Sequence, residues 1–147
     1  MIKIIDISYW QTPSKIDYAK LASQVDGVIL RAAYGVWQDT ALNTHYQNFT
    51  DLGVPLGAYH VIVEYKSVKE QADAFITAVQ GKTLDMGYWC DVELESGATP
   101  LTQGTVDNYV AKVDTGLGKR MDFYSSRYYW DSIMKTDAYK DRKLWVA

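Results

Sequence analysis

The sequence predicts an α/β fold in which short strands alternate with amphipathic helices around a parallel sheet. Short apolar, β-branched runs recur along the 147 residues, and stretches with a helical apolar stripe separate them. Strands buried on both faces are typical of parallel sheets, which form either open doubly wound sheets or barrels. The length argues against a complete barrel, because the eightfold β/α form usually needs about 200 residues or more.

Apolar periodicity, together with turn and capping residues, locates the individual strands and helices. Six strands are predicted, at residues 2–7, 27–34, 54–61, 87–93, 121–125 and 143–147. Five helices are predicted, at residues 14–24, 40–52, 67–79, 101–113 and 127–134. Ser67 with Glu70 three residues later forms a capping-box signal at the start of the third helix. The last strand is apolar, and because an apolar edge strand is an aggregation hazard, we expect the fold to continue beyond it.

Composition narrows the class of protein. The formal net charge is -3 and no basic cluster occurs, which argues against nucleic acid as a partner and gives no electrostatic reason to bind an anionic membrane. The first residues lack the features of a signal peptide, so we expect synthesis in the cytoplasm without export by that route. The 12 Tyr and 5 Trp against 3 Phe suggest a cleft that stacks on a flat ligand and hydrogen-bonds its edge.

Two carboxylates share one face of the fourth predicted strand. The period of two places Asp91 and Glu93 beside Trp89, with Cys90 on the opposite face. The Cα atoms of the two acids are then about 6.5 Å apart, close enough for each ionisation to disfavour the other. One acid is therefore expected to hold its proton near neutrality, as a general acid must.

Other strand ends add further candidates to the same edge. Asp6 ends the first strand, and parallel strands bring their carboxyl ends together, where α/β proteins place their sites. The remaining strand ends contribute aromatic and polar side chains, namely Tyr34, Tyr59, His60, Tyr124 and Ser125. Three acids ringed by aromatic side chains are what hydrolysis of a glycosidic bond requires.

Structural explanations compete with the functional ones. A single acidic residue at a strand end is more often solvated or a helix cap than catalytic. Trp89 is as well suited to core packing as to sugar binding. His60 alone suits a structural hydrogen-bonding role. Arg31 is expected to neutralise buried acids. A metallohydrolase could use Asp6, His60, Asp91 and Glu93 as metal ligands. The other histidine, His45, lies in a predicted helix and does not have the spacing of a metal ligand. We therefore predict neither a metal nor a cofactor.

Six motifs in order along the chain resemble glycoside hydrolase family 25, the Chalaropsis-type muramidases found among phage endolysins and bacterial autolysins. These motifs are IDISYWQ at residues 5–11, GVILRAAYG at 27–35, GAYH at 57–60, WCDVE at 89–93, FYSS at 123–126 and LWVA at 144–147. The resemblance implies an N-acetylmuramidase that cleaves the β-1,4 bond between N-acetylmuramic acid and N-acetylglucosamine with retention.

The resemblance also implies roles for individual residues. Glu93 corresponds to the general acid/base, and Asp91 to the carboxylate that steadies the substrate's own acetamido group during its attack. Asp6 corresponds to an acid that shapes the site electrostatically, while Tyr59 and Tyr124 correspond to residues lining the groove. The substrate-binding set predicted from residues and resemblance together is Tyr34, Tyr59, His60, Trp89 and Tyr124.

The resemblance further implies a TIM-like β/α barrel that is incomplete here, with about six strands and five helices and without the closing strands. We therefore expect one catalytic domain over residues 1–147 whose C-terminal part is missing, completed by a further segment or a second chain, and weakly active or inactive alone. The expected partner is the glycan strand of bacterial peptidoglycan. The protein is expected to act on the bacterial cell wall as a phage lysin. The alternative is a non-catalytic glycan-binding module with a degenerate barrel.

Overall fold

The computed structural model describes residues 1–94, 97–134, 137 and 139–147. In these residues six parallel strands and one short antiparallel strand form a single sheet that curls into a half-barrel. The strands are β1 Ile4–Ile7, β2 Gly27–Tyr34, β3 Trp37–Gln38, β4 Leu56–Val61, β5 Tyr88–Asp91, β6 Met121–Ser125 and β7 Leu144–Val146. Their order is β1-β2-β4-β5-β6-β7, with β3 paired antiparallel to the end of β2. The predicted incomplete β/α barrel is confirmed.

Helices follow the strands in the predicted alternation. They are α1 Tyr18–Ala22, α2 Leu42–Asp51, α3 Val68–Val79, α4 Gln103–Leu117 and α5 Arg127–Ile133, and a 3₁₀ turn at Pro13–Lys15 precedes α1. The predicted cap of α3 is present, because the Ser67 side chain accepts a hydrogen bond from the Glu70 backbone N–H. None of the helices in the described ranges has the length and apolar character needed to span a bilayer.

Several element boundaries differ from the predictions; the strand predicted at 87–93, for example, ends at Asp91. Three of the differences have local reasons. The first helix is split, because extended Asp17 caps a new helix by accepting from the Lys20 N–H at 2.9 Å. The fourth helix runs four residues further than predicted, to Leu117, and ends where Gly118 adopts a left-handed φ of 62°. The first strand begins at Ile4 because that is the first residue with a partner, Gly27, in β2.

The main core lies between the outer face of the sheet and the helices. Alternate residues of the central strands, such as Leu30, Ala58 and Cys90, are fully buried there. Phe75 of α3 and Tyr109 of α4 fill the same layer from the helix side. This layer holds the half-barrel in shape and leaves the inner face of the sheet to other residues.

The strand residues that alternate with those of the core point to the inner face of the sheet, and the register between strands sets which of them lie side by side. Asp6 pairs in register with Ile29, and Tyr59 pairs with Trp89. One step further along, Asp91 pairs with Tyr124, which pairs with Trp145. Parallel register therefore brings side chains from distant parts of the chain to one region of the inner face, near the carboxyl ends of the strands.

The half-barrel is open along both outer edges of the sheet. Within the described ranges, β1 and β7 have no strand on their outer sides. Ile4 of β1 is 40% exposed and Val146 of β7 is 50% exposed. The inner face is consequently accessible from the side as well as from the carboxyl ends of the strands.

Candidate active site

Asp6 and Asp91 line a common depression on the inner face, although 85 positions separate them in the sequence. The cavity volume of this acid pocket is about 20 Å³. Its other walls come from five of the six parallel strands and are Ile29, Tyr59, Trp89, Tyr124 and Trp145. The structure thus brings together two of the three predicted catalytic acids and three of the predicted substrate-binding residues.

Glu93, the third predicted acid, lies two residues beyond the end of β5 and is half-buried. The influence of its charge on the pKa of Tyr124 shows that Glu93 lies near that residue. Burial raises the pKa of the Tyr124 hydroxyl, and the negative charges of Glu93, Asp91 and Asp6 raise it further, in that order. All three acids therefore lie within electrostatic reach of one phenol, although Glu93 is not among the residues lining the acid pocket.

The carboxylates of Asp6 and Asp91 also affect the hydroxyl of Tyr59, in β4. Burial strongly raises the pKa of its hydroxyl; the charges of Asp6 and Asp91 add to the increase, and that of Arg31 opposes it. The two phenols at the acids accordingly keep their protons at neutral pH. Each can donate a hydrogen bond to a carboxylate or to a ligand oxygen.

Indole rings form one wall of the acid pocket. The ring of Trp145 stands edge-on to those of Trp89 and Tyr124, at centroid distances of 5.9 and 5.5 Å. The Trp89 Nε1–H donates to the Met86 carbonyl at 3.0 Å, which fixes the orientation of that indole. Trp145 was not among the predicted site residues. The period of two in the last strand was the available signal, since it places Leu144 and Val146 on the other face.

Tyr34 lies in a second, larger cavity beside the acid pocket. We call this the aromatic cleft; its aromatic walls are Tyr9, Trp10, Tyr34 and Trp37, and Arg31 lies at its floor. Its cavity volume is about 540 Å³. The register between β2 and β4 shifts between Arg31 and Ala33, and such an irregularity redirects the side chains that follow it. The shift pairs Tyr34 with Val61, so Tyr34 leaves the helix-side alternation of Leu30 and lies on the inner-face side, in the aromatic cleft beside Arg31.

A buried ion pair supports the aromatic cleft. The Arg31 Nε donates to Asp39 Oδ2 at 2.8 Å, and the Asp39 side chain is completely buried. The same carboxylate accepts from the backbone N–H groups of Tyr9 and Ala41, at 3.0 and 2.9 Å. The prediction that Arg31 neutralises a buried acid is confirmed, and Asp39 ties the turn after β1 to β2 and to the start of α2.

His60 requires a correction, because it lies on the helix side of the sheet and not in either cavity. It is fully buried and its ring stacks on Phe75. The His60 Nε2–H donates to the Gly35 carbonyl at 2.8 Å, so Nδ1 accepts from the Tyr109 hydroxyl at 2.7 Å. Burial lowers the pKa of His60 to about 3. The residue is a neutral structural histidine and cannot reach a substrate on the inner face.

This placement also separates the ligands that a metallohydrolase would need. His60 faces the helices, whereas Asp6 and Asp91 face the acid pocket. Across the described ranges, no group of three or more His, Cys, Asp or Glu side chains is arranged to hold a metal ion. Cys90 is buried on the helix side as well, and burial raises the pKa of its thiol well above the usual value.

Three solved structures illustrate what the fold is similar to. A family 25 glycosyl hydrolase from Bacillus anthracis gives a TM-score of 0.84 at 21% identity over 99% of this chain and 70% of that one. A muramidase from Acremonium alcalophilum gives 0.84 at 22% identity, over 99% and 76%. The modular autolysin LytC from Streptococcus pneumoniae, in complex with a synthetic peptidoglycan ligand, gives 0.76 at 22% identity, over 92% and 35%.

These likenesses establish the fold, and the sequence itself establishes the family. A comparison with curated proteins finds no match. The sequence profile of Glycosyl hydrolases family 25, however, matches residues 5–147, which is nearly the whole chain. The chain spans between about a third and three quarters of the three solved proteins. It belongs to glycosyl hydrolase family 25 and is a glycosidase.

Proposed function

We propose that the chain hydrolyses peptidoglycan as an N-acetylmuramidase, cleaving the β-1,4 bond between N-acetylmuramic acid and N-acetylglucosamine. The observation that carries the proposal is the group of three carboxylates around Tyr124 at the carboxyl ends of the strands. Family membership supports it, as do the muramidase and the peptidoglycan-bound autolysin among the similar structures. The proposed place of action is the bacterial cell wall.

In this proposal Glu93 is the general acid/base. Its half-buried position beyond β5 lets it approach a glycosidic oxygen above the acid pocket, protonate the leaving group and then activate the incoming water. Carboxylates that share a site disfavour each other's ionisation, and this is the condition under which one of them retains a proton for transfer.

Asp91 is proposed to stabilise the positive charge that develops when the acetamido group of the substrate attacks the anomeric carbon. Its side chain is almost completely buried at the base of the acid pocket, where a fixed negative charge is poorly screened. Two successive displacements at that carbon give retention of configuration. Asp6, which lines the same pocket, adds to the same negative field.

The aromatic walls are proposed to orient the sugar. Trp89 and Trp145 offer flat apolar surfaces, while Tyr59 and Tyr124 offer hydroxyl groups that stay protonated. An apolar pocket with a few convergent polar groups is the usual form of a small-ligand site. The sugar is thereby held with its scissile bond toward the acids.

The replacement Glu93→Gln tests the proposal. It keeps the size of the side chain and removes the transferable proton, so release of reducing ends from purified peptidoglycan should fall by about 10² to 10⁴-fold. Sedimentation of the variant with insoluble peptidoglycan should be unchanged. Asp85→Asn is the matched control, because it removes an exposed carboxylate from the turn before β5, at the other end of that strand.

Three outcomes would contradict parts of the proposal. Undiminished hydrolysis by Glu93→Gln would remove Glu93 from the mechanism. A chain whose barrel has been completed and that binds peptidoglycan without releasing reducing ends would favour the non-catalytic glycan-binding module. Loss of activity in chelator would favour metal-dependent chemistry.

A further inference from the structure

Ser125 ends β6 at the same edge of the sheet as the acids, yet it takes no part in the chemistry proposed above. We propose that it is a positioning residue for Glu93: its buried hydroxyl fixes the backbone just before Glu93 and thereby sets where that carboxyl group lies. The catalytic role of Glu93 rests on the proposed function. Its placement by Ser125 follows from the hydrogen bonds and burial of the backbone around it.

The hydroxyl of Ser125 makes a short, buried hydrogen bond to the backbone of another strand. Its Oγ–H donates to the Val92 carbonyl at 2.7 Å, and Ser125 is fully buried. The Ser126 carbonyl lies 3.1 Å from the same oxygen, but a hydroxyl has one proton to donate, so we assign it to the shorter bond. A buried carbonyl that loses its donor is costly, and this cost keeps Ser125 and Val92 together.

This bond continues the pairing of β5 with β6 beyond the end of β5, which lies one residue before Val92. The Val92 backbone N–H donates to the Tyr124 carbonyl at 2.9 Å, and the Ser125 hydroxyl then donates to the Val92 carbonyl. The main chain of β6 leaves the sheet at this point, because Ser126 is the N-cap of α5. A side chain thus holds the segment that leads from β5 to Glu93.

Val92 transmits this constraint directly to Glu93. The peptide unit that joins them is planar, so the Val92 carbonyl oxygen lies in one plane with the backbone N and Cα of Glu93. The side chain of Val92 is completely buried in the apolar core on the helix side. Successive residues of an extended chain point to opposite faces, which directs Glu93 to the inner face, where Asp91 lies.

Ser125 can serve as an anchor because its own backbone is fixed by β7. It pairs in register with Val146, and its carbonyl accepts from the Ala147 backbone N–H at 3.1 Å. Without the hydroxyl, the peptide plane that carries Glu93 loses its link to this anchor. A displacement of about 1 Å at a catalytic group can lower a rate by about 10²-fold, so a small movement of this plane is enough to matter.

Ser125→Ala tests the proposal, because it removes the hydroxyl alone. On soluble peptidoglycan fragments kcat should fall by about 10 to 10²-fold with KM little changed, since the aromatic walls that hold the sugar are untouched. Ser125→Thr keeps a hydroxyl on the same carbon and should retain most of kcat. Ser126→Ala is the matched control: it removes the neighbouring hydroxyl, which caps α5 by accepting from the Tyr129 N–H, and should lower stability with kcat unchanged.

A double-mutant cycle shows whether Ser125 acts through Glu93. Added to Glu93→Gln, Ser125→Ala should change the residual rate by less than about twofold, since the group that it positions is already gone. An equal loss of kcat in both backgrounds would overturn the proposal. An unchanged kcat in Ser125→Ala would also overturn it, as would a loss of the same size in Ser126→Ala.

A second measurement does not depend on turnover. The ionisation of Tyr124 is followed by NMR of its ¹³C-labelled phenol carbon. Removal of the negative charge in Glu93→Gln should lower the pKa of Tyr124, and Ser125→Ala should lower it as well, because the carboxylate moves away. The two changes together should lower it no further than Glu93→Gln alone.

An unchanged pKa of Tyr124 in Ser125→Ala would overturn the placement of Glu93 by Ser125, and so would an equal lowering by Ser125→Ala in both backgrounds. This result is separable from a failure of the proposed function. If Glu93→Gln left hydrolysis intact, the proposed mechanism would lose its acid, whereas the titration of Tyr124 would still decide the role of Ser125.

Discussion

The two faces of strand β5 divide stability from chemistry within four residues. Tyr88 and Cys90 face the helices and are buried among apolar side chains, whereas Trp89 and Asp91 face the acid pocket. On the helix side, the polar group His60 has a hydrogen-bond partner for each ring nitrogen. On the inner side, acids from different strands share one small space. A sheet can therefore concentrate like charges on one face because packing on its other face supplies the stabilisation.

The largest effect expected from this division is a loss of stability on the helix side. Phe75→Ala removes a fully buried ring that stacks on His60, and the unfolding free energy should fall by about 3 to 5 kcal/mol. Urea denaturation measures this loss. Hydrolysis per folded molecule should be retained, and Phe75→Leu, which keeps more of the volume, should lose much less stability.

The next effect is a loss of activity on the inner side. Asp91→Asn removes the charge proposed to stabilise the intermediate, so hydrolysis should fall by about 10² to 10³-fold with little change in thermal stability. The adjacent Cys90→Ala is the control, because its side chain faces the helices. The division of roles would be wrong if Cys90→Ala lost as much activity as Asp91→Asn.

The smallest effect near neutral pH is a pH dependence of stability set on the helix side, which grows as the pH falls further. Because the pKa of His60 is lowered to about 3, the unfolded chain binds a proton below pH 6.5 that the folded chain does not. The unfolding free energy should therefore decrease as pH falls from about 6.5 toward 3, by up to about 1.4 kcal/mol per pH unit.

The variant His60→Gln isolates this contribution from those of other groups. Glutamine can still donate to the Gly35 carbonyl and accept from Tyr109, but it does not titrate. Its stability should decline less steeply over that pH range, as measured by urea denaturation at several pH values. Equal slopes in both proteins would show that His60 is already protonated in the folded state.

Elements with strong local signals were predictable from the sequence. Strands 27–34 and 121–125 have the predicted bounds, since apolar and aromatic residues predominate in each and Gly35 or the helix cap Ser126 follows directly. The capping residue Ser67 gave the start of α3 for the same local reason. Strand β3 was missed, because a two-residue strand has no periodicity and exists only where the end of β2 offers a partner.

The candidate site was only partly predictable. The period of two put Asp91 with Trp89, and the parallel order indicated that Asp6 would join them. The same period should have excluded His60, since its neighbour Tyr59 faces the acid pocket and adjacent strand residues point to opposite faces. The period of two alone would place Tyr34 with Leu30 on the helix side. Its position on the inner-face side could not be foreseen, because it follows a register shift that arises from pairing with β4.

The sequence by itself determined the alternation of strands and helices, the face of the strand residues outside the register shift in β2, and the family, because these depend on local spacing and on ordered motifs. The tertiary structure decided which strand ends meet, that Trp145 closes the acid pocket, and that Trp10 and Trp37 share a cleft. The physical reason is that register and curvature arise from contacts between residues distant in the chain, and no local pattern encodes them.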